Sequence, residues 1–132
     1  MTWALVAIVV FVVAGTAAVR LAPSDPKVWH VDPAQAADPG AGGVLVRHKI
    51  DGEAPLQRFD DAMMTEPRVT KLAGSVKERR ITYVARSQWV GFPDYITVSY
   101  AKGELVILSR LRFGQSDLGV NAARLERVLE RL

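Results

Sequence analysis

The sequence contains no cysteine, and its first 19 residues contain no charged side chain. Without cysteine, the chain can form neither a disulfide scaffold nor a thiolate metal site. It also contains no internal repeat of solenoid length. A hydrophobic content of 49% with a net charge of only +3 excludes intrinsic disorder. The 132 residues have room for one modest domain, or for a smaller domain with an appendage.

The uncharged N-terminal tract predicts a helix that crosses a membrane. Residues 3–19 are apolar except for Gly15 and Thr16, and as a helix they would extend roughly 26 Å, near the minimum for a bilayer core. A cleaved signal peptide is the alternative, because small residues follow the apolar run, although no basic residue precedes it. A buried core helix is disfavoured, because the tract has no polar face. We expect residues 1–22 to form a transmembrane anchor or an uncleaved signal.

The charges that follow the tract do not decide which side of the membrane the rest of the chain occupies. Arg20 and Lys27 favour a cytoplasmic domain by the positive-inside rule, but two basic residues are a weak bias. We expect a single-pass protein of the cell inner membrane with its domain in the periplasm, and the cytoplasmic side is the alternative.

A segment rich in proline and glycine, residues 23–43, separates the tract from the domain. Such a segment is typical of an extended tether. Trp29 is too large and apolar for a simple linker, so we expect it to dock on the domain while residues 34–43 stay mobile. His30 and His48 have no acidic residue at a ligand spacing, so we expect surface or packing roles, no metal site and no cofactor.

Residues 44–132 predict an α+β domain. Apolar spacing indicates a strand at 44–50, a helix at 55–65 and a short strand at 69–72. Three alternating strands follow, near 81–89, 95–100 and 105–113, and should form an antiparallel meander. We expect an antiparallel sheet of about four to five strands with two helices packed on one face, preceded by the transmembrane helix.

Alternation within these strands predicts which side chains are buried. It places Ile81, Tyr83, Ala85 and Trp89 in the core, and Thr82 on the solvent side. The same pattern in the next strand puts the set Ile96, Val98 and Tyr100 inward and the set Tyr95, Thr97 and Ser99 outward.

The C-terminal residues predict a final helix with Asn121 as its N-cap. An apolar stripe at helical spacing comprises Leu125, Val128, Leu129 and Leu132. The opposite, solvated face would carry Arg124, Glu126, Arg127, Glu130 and Arg131.

A dense polar motif lies between the last strand and this helix, in the sequence RFGQSDLGVNAAR. The pattern S-x-x-R-x-G-x-S-D-x-G-x-N-x-x-R closely resembles the C-terminal signature of domain of unknown function family 1499, a bacterial and plastid family. The matching residues are Ser109, Arg112, Gly114, Ser116, Asp117, Gly119, Asn121 and Arg124. The stretches 91–95 and 22–26, the latter with Trp29 and His30, support the resemblance. It implies a small membrane-associated or exported domain and no established activity, substrate or cofactor.

The motif admits a structural and a functional interpretation. The glycines permit a tight loop whose polar side chains cap backbone amides, with Arg112 paired to Asp117. The same atoms at a helix N-terminus, close to several arginines, would also suit an anion such as a carboxylate, a phosphate or a lipid headgroup. Residues 79–132 hold nine basic and five acidic side chains, so the positive net charge of the chain lies in this half. The candidate ligand-binding residues are Arg112, Ser116, Asp117, Asn121 and Arg124.

The sequence therefore predicts a membrane-anchored binding or structural module of the bacterial cell envelope. The alternatives are a small-anion or lipid-headgroup binding protein, a hydrolase-like enzyme using Ser116 and Asp117, and an accessory subunit of a membrane complex. We assign no catalytic residue, since neither histidine has a context that brings it to Ser116. The expected partners are the membrane and another membrane protein. The ligand is unknown, and nucleic acid is not expected, because the aromatics near Arg79 and Arg86 should face the core.

Overall fold

One antiparallel sheet of five strands, in the spatial order β1-β5-β4-β3-β2, forms the centre of the domain. The computed structural model describes residues 2–113 and 119–132. In chain order the strands are β1 (Gly43–Lys49), β2 (Val69–Ser75), β3 (Arg80–Arg86), β4 (Pro93–Ala101) and β5 (Glu104–Leu111). The register pairs Tyr83 with Ile96 and Val98 with Ile107. The predicted meander is therefore confirmed as β3, β4 and β5.

In the described ranges four α-helices accompany the sheet: α1 (Thr2–Leu21), α2 (Pro26–Trp29), α3 (Pro55–Met64) and α4 (Val120–Glu130). Two short 3₁₀ turns, Pro33–Gln35 and Gly40–Gly42, lie between α2 and β1. Proline at the first position starts both α2 and α3, since its fixed φ suits a helix start. In α2, Asp25 also caps the helix by accepting the Lys27 N–H at 2.9 Å.

Helices α3 and α4 pack on one face of the sheet and enclose the hydrophobic core. From the helices this core takes Leu56, Phe59, Met63, Leu125 and Val128, and from the sheet Ile81, Tyr83, Ile96, Val98, Leu105 and Ile107. Each fully buried aliphatic side chain contributes about 1.5–3 kcal/mol relative to an exposed one. The predicted α+β class, with two helices on one face, is confirmed.

The segment between α1 and β1, residues 22–42, covers the opposite face of the sheet, and we call it the covering segment. Trp29 stacks on Tyr95 with ring centroids 3.8 Å apart and an interplanar angle of 9°, which confirms its predicted docking. Thr82, Tyr95 and Thr97 were expected to face water, and this expectation is wrong: their exposures are 0%, 0% and 1%. Alternation predicts which face of a sheet a residue occupies, but both faces are covered here.

Gly74 allows this segment to approach the sheet closely. Its φ is +86°, and a Cβ at this position would lie 2.0 Å from the Arg80 carbonyl oxygen and 2.7 Å from His30 Cε1. Only glycine fits such a position without displacing its neighbours.

Trp89 lies outside the core, contrary to the alternation. Strand β3 ends at Arg86, and residues 87–92 turn the chain into β4. Ser87 Oγ holds this turn by accepting the N–H groups of Gly91 and Phe92 at 3.0 and 2.9 Å. Because the strand has ended, Trp89 is no longer in its inward register, and the side chain is 82% exposed.

Helix α1 has 20 residues, and no residue in it is buried against the domain. At 1.5 Å per residue it is about 30 Å long, the thickness of a bilayer core. By length and composition it is one helix able to cross a membrane, close to the N-terminus, and a signal sequence has the same properties.

Candidate functional site

The five residues predicted to bind a ligand do not form one cluster within the described part of the chain. Ser116 and Asp117, and with them the predicted pair between Arg112 and Asp117, lie outside the described residues. Among the other three, Asn121 and Arg124 lie under α4, whereas Arg112 points to the opposite face of the sheet. Binding of a ligand by all five residues stays a prediction.

Asn121 is a buried link between α4 and the sheet, and not the N-cap that the sequence predicted. The N-cap is Gly119, whose φ of 82° suits glycine. Asn121 is fully buried, and its Oδ1 accepts hydrogen bonds from Ser109 Oγ on β5 and from Arg124 Nη1, the latter at 2.7 Å. Its Nδ2 donates to Asp94 Oδ2 at 3.4 Å.

Arg124 was placed on the solvated face of the helix, and this placement is wrong. The residue is only 8% exposed, because it turns back towards Asn121 instead of towards water. The hydrogen bond from Ser109 to Asn121 therefore joins β5 to α4, and Arg124 donates to the same Asn121 oxygen from within the helix.

Arg112 fastens the covering segment to the sheet. Its Nη1 donates to the Pro23 carbonyl at 2.7 Å and to Tyr95 Oη at 3.0 Å. Tyr95 Oη is also 2.6 Å from Ser24 Oγ. The stretch 22–26 and the C-terminal motif, which carried the family resemblance separately, are thus in direct contact.

A polar network continues along this face under Trp29. His30 Nδ1 lies 2.7 Å from Thr82 Oγ1, which lies 2.8 Å from Thr97 Oγ1. Burial, and then the positive charge of Arg80, lower the pKa of His30, while Glu78 opposes this shift. His30 is therefore used in packing, as the sequence predicted.

Arg110 closes the same network from β5. Its guanidinium lies over the Trp29 ring, 4.8 Å from the centroid, and Nη2 donates to the Trp29 carbonyl at 3.2 Å. Its buried Nε has no partner among the described residues. Burial lowers the pKa of this guanidinium.

A polar triad of buried Asp60, buried Tyr83 and exposed Lys71 ties α3 to the sheet on the core side. Tyr83 Oη donates to Asp60 Oδ1 at 2.7 Å, and Lys71 Nζ donates to Asp60 Oδ2 at 2.8 Å. Burial and the hydrogen bond to Asp60 raise the pKa of Tyr83 far above its ordinary value. Within the described ranges no three His, Asp or Glu side chains converge as a metal site would require.

The sequence interpretation missed a basic pocket at the end of α1. Arg20, Arg68 and Arg86 line it together with Thr70, Ser87, Gln88 and Gly91, and its volume is about 350 Å³. Pairing of β2 with β3 brings Arg68 next to Arg86, since the Arg86 N–H donates to the Arg68 carbonyl at 3.0 Å. Arg20 arrives from α1, because its Nε and Nη2 donate to the carbonyls of Val90 and Trp89 at 2.9 and 3.0 Å.

Among the described residues, the three guanidinium groups in this pocket bond to backbone carbonyls and to no acid. Arg68 Nε donates to the Arg86 carbonyl at 3.1 Å, and Arg86 Nη1 donates to the Gly91 carbonyl at 3.0 Å. In the described chain no carboxylate lies within 4.0 Å of any of the three. Each carbonyl contact leaves further N–H donors of the same guanidinium available.

Exposed aromatic side chains lie at the same end of the domain. Trp89 is 82% exposed and Phe92 is 40% exposed. The Phe92 ring lies 6.2 Å from that of Phe113, which follows β5. Arginines and aromatics together at the end of an apolar helix are typical of protein surfaces at a membrane interface.

An apolar N-terminal helix followed by an α+β domain, joined by a covering segment, defines the class of protein. Comparison with models of protein families identifies the family. Residues 22–132 match the family described as "Protein of unknown function (DUF1499)", and the chain belongs to that family. The match begins at the covering segment, so this segment belongs to the region that the family shares. A search of curated proteins found no match.

Proposed function

We propose that this protein is anchored in a membrane by α1, and that its α+β domain is a binding or structural module of the bacterial cell envelope held against the membrane surface. The observation that carries the proposal is the attachment of Arg20, in the last turn of α1, to the carbonyls of Val90 and Trp89. This contact sets the end of an apolar helix directly beside the loop that exposes Trp89.

Three further properties support an anchor. Helix α1 is about as long as a bilayer core is thick. Its large apolar side chains are exposed, as lipid contact requires, with Phe11 at 81% and Ile8 at 61%. Its first charged residue is Arg20, whose long side chain can reach the interface.

Membrane extraction of the full chain tests the anchor. With a C-terminal tag in a bacterial host, we expect the protein to stay in the membrane pellet after carbonate treatment and to keep the mass of the full chain. Val10→Lys should release a large part of it, because a lysine at the centre of a spanning helix costs about 2.5–3.5 kcal/mol. Val10→Leu is the matched control and should behave as wild type.

Two results would overturn the anchor. One is wild-type protein in the carbonate supernatant, and the other is a shortened chain that begins after the small residues near Gly15. A C-terminal alkaline phosphatase fusion tests the side of the membrane separately. We expect it to be active, as a periplasmic domain requires, and activity only of a cytoplasmic reporter would reverse the orientation.

A further inference from the structure

We propose that the pocket of Arg20, Arg68 and Arg86 binds the phosphate group of an anionic phospholipid headgroup. This inference rests on the proposed membrane anchor and adds a ligand class and a site. The site is separate from the motif residues Asn121 and Arg124, which bond each other under α4.

The charge of the pocket indicates the chemistry of the ligand. Three guanidinium groups line about 350 Å³, and among the described residues none of them has a carboxylate partner within 4.0 Å. Guanidinium groups donate paired, planar hydrogen bonds that match the oxygens of a phosphate. Ser87 does not compete for them, because its Oγ accepts the N–H groups of Gly91 and Phe92.

The backbone holds the three arginines in place before a ligand arrives. Arg20 is fixed to residues 89 and 90, Arg68 to the Arg86 carbonyl, and Arg86 to the Gly91 carbonyl. A side chain at Gly91 would displace Arg20 from this position, because a Cβ there would lie 2.9 Å from Arg20 Nε. Each side chain has therefore lost part of its freedom already, which lowers the entropic cost of binding.

The surroundings favour a lipid over a free phosphate. A shallow groove of about 320 Å³ runs along α1, lined by Val12, Val13, Thr16, Ala17 and Arg20. Arg20 belongs to both the groove and the basic pocket. A phospholipid with its phosphate in the pocket would have an acyl chain along this apolar groove, and Trp89 would lie beside it at the interface.

Native mass spectrometry of the full chain, released from nanodiscs with equal phosphatidylglycerol and phosphatidylcholine, tests the site. We expect wild type to retain phosphatidylglycerol preferentially. Arg68→Gln and Arg86→Gln should each lower that preference about fivefold, since one basic residue near an anionic surface contributes about 1 kcal/mol. Arg68→Gln is the decisive variant if Arg86→Gln alters the near-ultraviolet circular dichroism of the domain.

Arg79→Gln is a matched control. Arg79 is exposed like Arg68, and the two have nearly equal φ values of 60° and 59°, but Arg79 precedes β3 at the end away from Arg86. The Arg79→Gln substitution removes the same charge from the same backbone conformation as Arg68→Gln. We expect it to change the lipid preference less than twofold. An equal loss in Arg79→Gln and Arg68→Gln would overturn the site, because net charge alone would explain both.

Two further outcomes separate this inference from its alternatives. If glycerol phosphate displaces phosphatidylglycerol from wild type at equal concentration, the pocket recognises free phosphate and the lipid assignment is wrong. If wild type resists carbonate but retains both lipids equally, the pocket has no lipid preference, while the membrane anchor stands. The two proposals therefore fail in different measurements.

Discussion

Replacement of Trp29 by alanine tests whether the covering segment is part of the folded domain. The ring stacks on Tyr95 at 3.8 Å and lies 4.8 Å from the Arg110 guanidinium. Truncating a fully buried tryptophan costs about 3–5 kcal/mol, and Trp29 is partly exposed, so we expect a loss of about 2–3 kcal/mol. An aromatic stack accounts for about 0.5–1.5 kcal/mol of this loss.

The assay is thermal unfolding of the detergent-solubilised full chain, monitored by near-ultraviolet circular dichroism. Helix α1 contributes little to this signal, because most of its side chains are aliphatic. For a domain of this size the expected decrease in Tm is about 8–12 °C. Trp89→Ala is the matched control, because the same side chain is 82% exposed there. It should change stability by less than about 0.5 kcal/mol. Equal melting temperatures for Trp29→Ala and wild type would refute the reasoning, and residues 22–42 would then be a tether that the domain does not need.

Two more predictions concern pH. The pKa of Tyr83 is raised in the folded state, so its contribution to stability is complete below the unfolded pKa of about 10 and decreases above it. Tyr83→Phe should cost about 1–3 kcal/mol of stability at neutral pH, because it leaves buried Asp60 with one hydrogen-bond partner fewer. The same substitution should reduce the loss of Tm between about pH 9 and 11. A dependence of Tm on pH that is unchanged in this range would contradict the prediction. The pKa of His30 is lowered in the folded state, so stability is complete above the unfolded pKa of about 6.5 and decreases as the pH falls below it. We expect Tm to decrease between pH 7.5 and 5.5, and to decrease less in His30→Gln; equal decreases would show that another group is responsible.

Local patterns predicted the sheet and the helices, because each of them has an apolar face of its own. The spacing of Leu56, Phe59 and Met63 depends only on the helical period, and all three are in the core. Alternation failed at Thr82 and Tyr95, because the segment that covers them lies more than 50 residues earlier in the chain. No pattern within a strand contains that information.

The candidate sites show the same limit. The motif residues Asn121 and Arg124 were found by their resemblance to a family, but their burial depends on how α4 packs on β5. The basic pocket could not be predicted, because Arg20, Arg68 and Arg86 come from three separate parts of the chain. Trp89 marks this end of the domain in the structure, but alternation in the sequence assigned its side chain to the core.

The short connection between α1 and α2 limits how far the domain can move. Only residues 22–25 separate Leu21 from Pro26, and four residues span at most about 14 Å when fully extended. Arg112 holds Pro23 of this connection against the sheet, and Trp29, at the end of α2, stacks on Tyr95. For a chain anchored through α1, the domain has no reach into the surrounding compartment and very little freedom to rotate. With such an anchor, any molecule that binds the domain would have to come to the bilayer surface, and it would meet the same side of the domain each time.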